Sequence, residues 1–144
     1  MPEEDASAEE RAATALLLSM PFGALLGIEI VQATAREVRG RLSWREDLCT
    51  AADVMHGGAL MALADSTGAL CAFLNLPPGA NTSTIESKTN FFRAVRGGDV
   101  EAVTQPLHVG RMTIVVQSDL YDSEGRRVAQ VTQTQAVLSS KPQS

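Results

Sequence analysis

The sequence predicts an α+β fold: one curved antiparallel β-sheet wrapped around a single long central helix. Three features of the 144 residues carry that expectation. From Gly57 to Leu74 the chain reads GGALMALADSTGALCAFL, a helix-length run that is apolar apart from Asp65, Ser66 and Thr67. Strand-like runs lie on both sides of it, several with clear apolar/polar alternation. Short turns separate the last four runs, and short connections require antiparallel pairing. A helix that is apolar on nearly every side must be covered, and a curved sheet is the only large surface available to cover it.

Taken in order, the first half-dozen residues form a loose acidic lead. Ser7 followed by Glu10 has capping-box spacing and predicts a helix over about Ala8–Met20, stopped by Pro21 and Gly23. Ile28–Ala35 and Glu37–Trp44 read as strands. The second alternates, with Val38, Gly40 and Leu42 on one face and Arg39, Arg41 and Ser43 on the other. Residues 45–56 are irregular by composition. The apolar helix comes next, and Pro77-Pro78-Gly79 ends it. Ser83–Val95, Val100–Leu107, Met112–Tyr121 and Arg127–Leu138 then read as a four-stranded meander. Its turns are Arg96-Gly97-Gly98-Asp99, His108-Val109-Gly110-Arg111 and Asp122-Ser123-Glu124-Gly125. Pro106 predicts that its strand loosens near the end. The last strand sets Val128, Gln130, Thr132 and Thr134 against Ala129, Val131, Gln133 and Gln135. The expected organisation is a lead and short helix over 1–22, a single domain over 23–139, and a frayed tail over 140–144.

Charge and composition narrow the functional classes. Twelve Lys and Arg stand against seventeen Asp and Glu, a formal net charge of -5. A general nucleic-acid binder needs a basic face, so no nucleic-acid partner is expected. Cys49 and Cys71 form no CxxC pair and supply neither a disulfide framework nor a cysteine zinc site. The start MPEEDASAEERAA is acidic where a signal peptide needs a basic region and an apolar core, so a cytoplasmic location is expected. The Gly57–Leu74 run is near the minimum spanning length. It carries a central carboxylate and lacks basic flanks, so it reads as a core helix, with no membrane partner. Only His56 and His108 are present, and HExxH, GxGxxG and GxSxG are absent. No metal and no cofactor are expected.

Asp65 is the most informative residue. It stands mid-helix among Leu63, Ala64, Gly68 and Leu70. Burying an isolated carboxylate is costly, so it must be hydrogen-bonded, protonated or at a solvated cleft. One reading makes it an acid on the helix's wet stripe, bonded to a Ser or Thr. The other makes it a working carboxylate. His56-Gly57-Gly58 stands where loop becomes helix. Glycines there let a ligand approach the backbone, and the first free N–H groups of a helix favour an oxyanion or a polarised carbonyl. A tight turn with no ligand fits the same residues equally well. His56 and Asp65 are separated by about 13 Å of axial rise on one helix. A reaction that uses both therefore needs a second copy of the chain, in a two-fold dimer with two equal shared sites.

Met55-His56-Gly57-Gly58-Ala59 through Leu63-Ala64-Asp65-Ser66, then Thr84-Ile85-Glu86 and Asn90-Phe91-Phe92-Arg93-Ala94, resembles the hotdog-fold acyl-CoA thioesterases of the phenylacetate-degradation (PaaI-like) type. The resemblance runs from about Gly23 to Leu138. It implies a hotdog fold and a hydrolase acting on an acyl-CoA substrate. It also implies homodimers joined edge to edge that often pair into homotetramers.

The same resemblance implies roles. Asp65 matches the carboxylate that acts as general base or nucleophile, and the Gly57 N–H matches the oxyanion contact. His56 matches the histidine that positions substrate and loop, with Gly58 beside it, and Thr84 a hydroxyl near the attacking water. Phe91, Phe92 and Arg93, with His108, Val109, Gly110 and Arg111, match segments that line the coenzyme A channel. Arg93, Arg96 and Arg111 are either phosphate contacts or ordinary surface arginines. The acyl chain is expected beside Leu60, Met61, Ala64 and Phe73. Thr50 departs from the pattern, standing where many relatives have Asn or Gln. Its reach is shorter and it has no amide, which leaves a non-catalytic acyl-CoA or lipid-binding hotdog protein as the alternative.

Overall fold

A computed structural model describes residues 8–139, apart from the side chains of residues 9, 10, 13, 17 and 18. The helices are α1 (Ala8–Leu18), α2 (Pro21–Leu26) and α3 (Gly57–Leu74). The strands are β1 (Glu29–Ala33), β2 (Val38–Ser43), β3 (Asn81–Phe91), β4 (Asp99–Val109), β5 (Thr113–Tyr121) and β6 (Arg127–Leu138). The expected Ser7 cap and the frayed tail lie outside the described residues. Pro21 does more than stop the first helix: it opens α2, with Gly23 inside it. A proline in the first turn gives up only an N–H that would have no helical partner. Gly27 then ends α2 with a left-handed φ of 77°.

All six strands form one antiparallel sheet in the order β1-β2-β4-β5-β6-β3. The expected four-stranded meander is therefore three-stranded, β4 to β6, and β3 pairs with β6 instead of β4. The chain leaves β3 at Phe91, earlier than expected. Met55 N–H then donates to Val95 O at 2.8 Å, which fastens the crossing segment to the link before α3. The segment enters β4 beside β2, with β5 and β6 between it and β3. At the other end of β4, His108 and Val109 belong to the strand, not to a turn. Its register slips between Pro106 and His108, with Leu107 as the extra residue, because proline has no N–H for the ladder.

Strand β2 buries Val38, Gly40 and Leu42 and turns Arg39, Arg41 and Ser43 outward. On that outer face Arg39 pairs with Glu101 at 2.9 Å and Arg41 with Glu29 at 2.6 Å. The inner face receives α3. Leu63, Ala64, Leu70 and Cys71 are fully buried in one core with Leu42, Val100, Ile114 and Leu120. Gly40 sets how closely helix and sheet approach, since a Cβ there would stand 2.6 Å from Thr67 Cγ2. The α3 run is apolar and long enough to cross a membrane, but half of it is buried inside this fold.

Candidate active site

The residues before α3 form a held loop. Ala52 and Asp53 both adopt positive φ, 62° and 58°. That conformation costs a residue bearing a Cβ about 1–2 kcal/mol. Two donors hold it: Trp44 Nε1–H reaches Asp53 O at 3.0 Å, and Arg96 Nη1 reaches Ala52 O at 3.3 Å. His56 then caps α3, its Nδ1 accepting from Gly58 N–H at 2.8 Å. That acceptor role places the neutral ring's proton on Nε2. His56 O accepts from Ala59 N–H at 2.9 Å. The Gly57 N–H has no partner among the described residues, so it is the donor left over at the positive end of the helix.

A groove of about 430 Å³ opens at this end of α3, and Thr50, Gly57, Leu60, Phe91, Phe92 and Arg93 are among its lining residues. The Phe91 ring lies against Gly57, where a Cβ would stand 3.0 Å from Phe91 Cζ. Of the expected acyl-chain neighbours only Leu60 lines the groove. Ala64 is sealed in the core. Met61 and Phe73 lie elsewhere on α3.

Further along α3, Asp65 is exposed. Its Oδ1 accepts from Thr84 Oγ1 at 3.2 Å and from Gln133 Nε2. Thr84 Oγ1 accepts in turn from Gln135 Nε2 at 2.8 Å and Gln133 Nε2 at 3.3 Å. Two amides fill the acceptor side of that hydroxyl, so its one proton is directed at Asp65. Oδ2 has no hydrogen-bond partner among the described residues. Asp65 thus joins the two readings left open by the sequence. It is bonded to a threonine, and it presents one unencumbered carboxylate oxygen.

A bulge in β3 makes both sites possible. Thr84 pairs with Gln135 and Glu86 with Thr134, so Ile85 is the added residue. One added residue moves every later side chain to the opposite face. Thr84 and Phe91 are an odd number of residues apart, yet one reaches Asp65 and the other lies on Gly57.

Within one chain the two halves stay apart. Asp65 does not line the groove. The His108–Arg111 segment lies at the opposite end of the sheet from Phe91. Phe91 pairs with Ala129, whereas Thr113, next to that segment, pairs with Ala136. Seven residues of strand separate those positions, about 23 Å. Arg96 is bonded to the loop, and Gly58 sits beside the His56 ring. Gln133 and Gln135 were not singled out as site residues by the sequence pattern. The available sign was two amides on the strand face shared with Ala129 and Val131.

Comparison with known proteins bears on the family and the fold. Residues 52–129 match the family model of the thioesterase superfamily. The chain is 35% identical over 85 residues to the proofreading thioesterase EntH of Cronobacter sakazakii, covering 59% of this chain and 62% of that protein. It is 33% identical over 85 residues to the 1,4-dihydroxy-2-naphthoyl-CoA hydrolase of Escherichia coli K12, again covering 59% and 62%. These matches span less than two thirds of either relative's length. Thioesterase HI1161 of Haemophilus influenzae superposes with a TM-score of 0.84 at 27% identity, covering 96% of each chain. A curved sheet around one helix with these neighbours is the hotdog fold. The chain belongs to the thioesterase superfamily.

Proposed function

We propose that the chain is an acyl-CoA thioesterase with active sites shared between two copies, Asp65 of one copy serving the Gly57 groove of the other. Family membership supports thioester hydrolysis, and the E. coli relative, a naphthoyl-CoA hydrolase, supports a CoA thioester as substrate. The observation that carries the proposal is the split carboxylate: Oδ1 held by two donors, Oδ2 open, and the unpaired Gly57 N–H about 12 Å away along the same helix. Strand β3 supports assembly. It pairs only with β6 among the described residues, and Ile85 and Phe91 on it are about half exposed.

Water attacks the thioester carbon while Asp65 Oδ2 takes its proton. Charge gathers on the carbonyl oxygen, where the Gly57 N–H and the positive end of α3 stabilise it. The C–S bond then breaks. The proton held by Asp65 passes to the departing CoA thiolate, leaving free acid and thiol.

Thr50 lines the groove with no amide to orient a carbonyl, and this favours the second reading, a binder that does not hydrolyse. A thiol-detecting dye with aromatic, medium-chain and long-chain acyl-CoAs separates the two. Turnover is expected, with a sedimentation mass of a dimer or larger. Asp65→Asn is expected to lower kcat by about 10²–10⁴-fold. The asparagine carbonyl can still accept from Thr84 and Gln133, so the fold is kept. Near-parental turnover in that variant refutes Asp65 as the base, and binding without thiol release supports the second reading.

A further inference from the structure

We infer that Gln133 is a positioning residue for Asp65: its buried amide fixes one carboxylate oxygen and thereby aims the other. The inference rests on the reading of Asp65 as the base. Gln133 spends one amide proton on Asp65 Oδ1 and the other on Thr84 Oγ1. The opposite amide orientation would set Oε1 against a carboxylate oxygen, acceptor against acceptor, so the donor orientation is imposed by chemistry.

The fold bears a cost for this side chain. Gln133 is about 1% exposed on a face it shares with Ala129 and Val131. Its Oε1 is buried with no hydrogen-bond partner among the described residues. That oxygen packs against Gly68, where any Cβ would collide with it. A buried, unpaired acceptor is destabilising, and an apolar side chain of the same shape would satisfy the site at least as well. The amide's return is the charge-assisted hydrogen bond to Asp65. Without it Oδ1 keeps a single donor, Thr84, and the carboxylate is free to turn about its side-chain torsion. Gln135 supports the arrangement from behind by holding Thr84.

Gln133 does not line the groove. Its removal should therefore act on the chemical step and leave binding alone. The test is thiol release from acyl-CoA by Gln133→Leu and Gln133→Met, beside Asp65→Asn. A misplaced reacting group typically loses on the order of 10²-fold, so kcat is expected to fall about 10–100-fold. KM should be unchanged and the thermal midpoint unchanged or raised. Gln133→Glu adds an independent readout. Its carboxyl donates only while protonated, and two touching carboxylates resist joint ionisation. Its kcat should therefore fall as pH rises, along a limb the parent lacks. Parental kcat in the apolar variants, whatever their midpoint, or no new limb in Gln133→Glu, overturns the inference alone when Asp65→Asn is inactive. Near-parental turnover in Asp65→Asn, or no thiol release from any acyl-CoA, overturns the base reading and this inference with it.

Discussion

Gly68→Ala sets helix preference against packing, and the structure says which prevails. In a free helix the change is favourable by about 1 kcal/mol, because glycine has more backbone freedom to lose. In α3 the added Cβ would collide with Gln133 Oε1 and stand 3.2 Å from both Gln133 Cδ and Val116 Cγ2. Carbon contacts are optimal at about 3.5–4.0 Å. Gln133 and Val116 are each about 1% exposed, so neither can swing into solvent. Overpacking costs about 1–3 kcal/mol, and with neither neighbour able to yield the upper part of that range, about 2–3 kcal/mol, applies, which leaves a net loss of about 1–2 kcal/mol. For a chain of this size that lowers the thermal midpoint by about 2–8 °C. Circular dichroism melts at one fixed protein concentration measure it. Gly68→Ala/Gln133→Ala should lose less than the two single losses added, since the new methyl enters the space the amide vacates. A midpoint equal to or above the parent's in Gly68→Ala, or strict additivity in the pair, would refute the reasoning.

Other predictions test separate parts of the molecule. Gly57→Ala should keep the fold, because the ring it meets belongs to half-exposed Phe91 and can move, but acyl-CoA binding by titration should weaken as the groove changes shape. Burial pushes the Cys71 thiol up to about 12, so a thiol dye should label Cys49 alone in the native protein and both cysteines in denaturant. The Arg126 backbone N–H, then its guanidinium and the Glu124 N–H, hold the Asp122 carboxyl below its ordinary value. A lowered folded value gives stability that is complete above the ordinary Asp range, near pH 4, and is lost as pH falls through the folded value. The melting difference between the parent and Asp122→Asn should therefore shrink on acidification below about pH 4.

The sequence showed local features well and non-local ones poorly. Val38, Gly40 and Leu42 declared the inner face of β2 because alternation is a property of neighbours. The bounds of α3 and β6 were readable for the same reason. The placement of β3 was not. Arg96-Gly97-Gly98-Asp99 has the residues of a hairpin turn, but the path of the chain beyond β3 is fixed by the Met55–Val95 hydrogen bond, between residues 40 apart. Pro21 was read as a stop because a proline that ends one helix and a proline that begins another look alike without the backbone. Asp65 and Thr84 were visible as candidates, but the Ile85 bulge that lets Thr84 and Phe91 both face the helix leaves no compositional mark. Gln133 was placed on the face of Ala129 and Val131, but its role was hidden because its partners, Asp65 and Thr84, lie far away in the sequence.

The uninterrupted helix between Gly57 and Asp65 has a consequence for how this protein can vary. Each residue advances an α-helix by about 1.5 Å and turns it by about 100°. One residue gained or lost in that stretch would swing the carboxylate away from Thr84 and Gln133 altogether. An exchange at exposed Met61 would leave its bearing unchanged. The segment works as a ruler: its lettering is free to drift, its length is not.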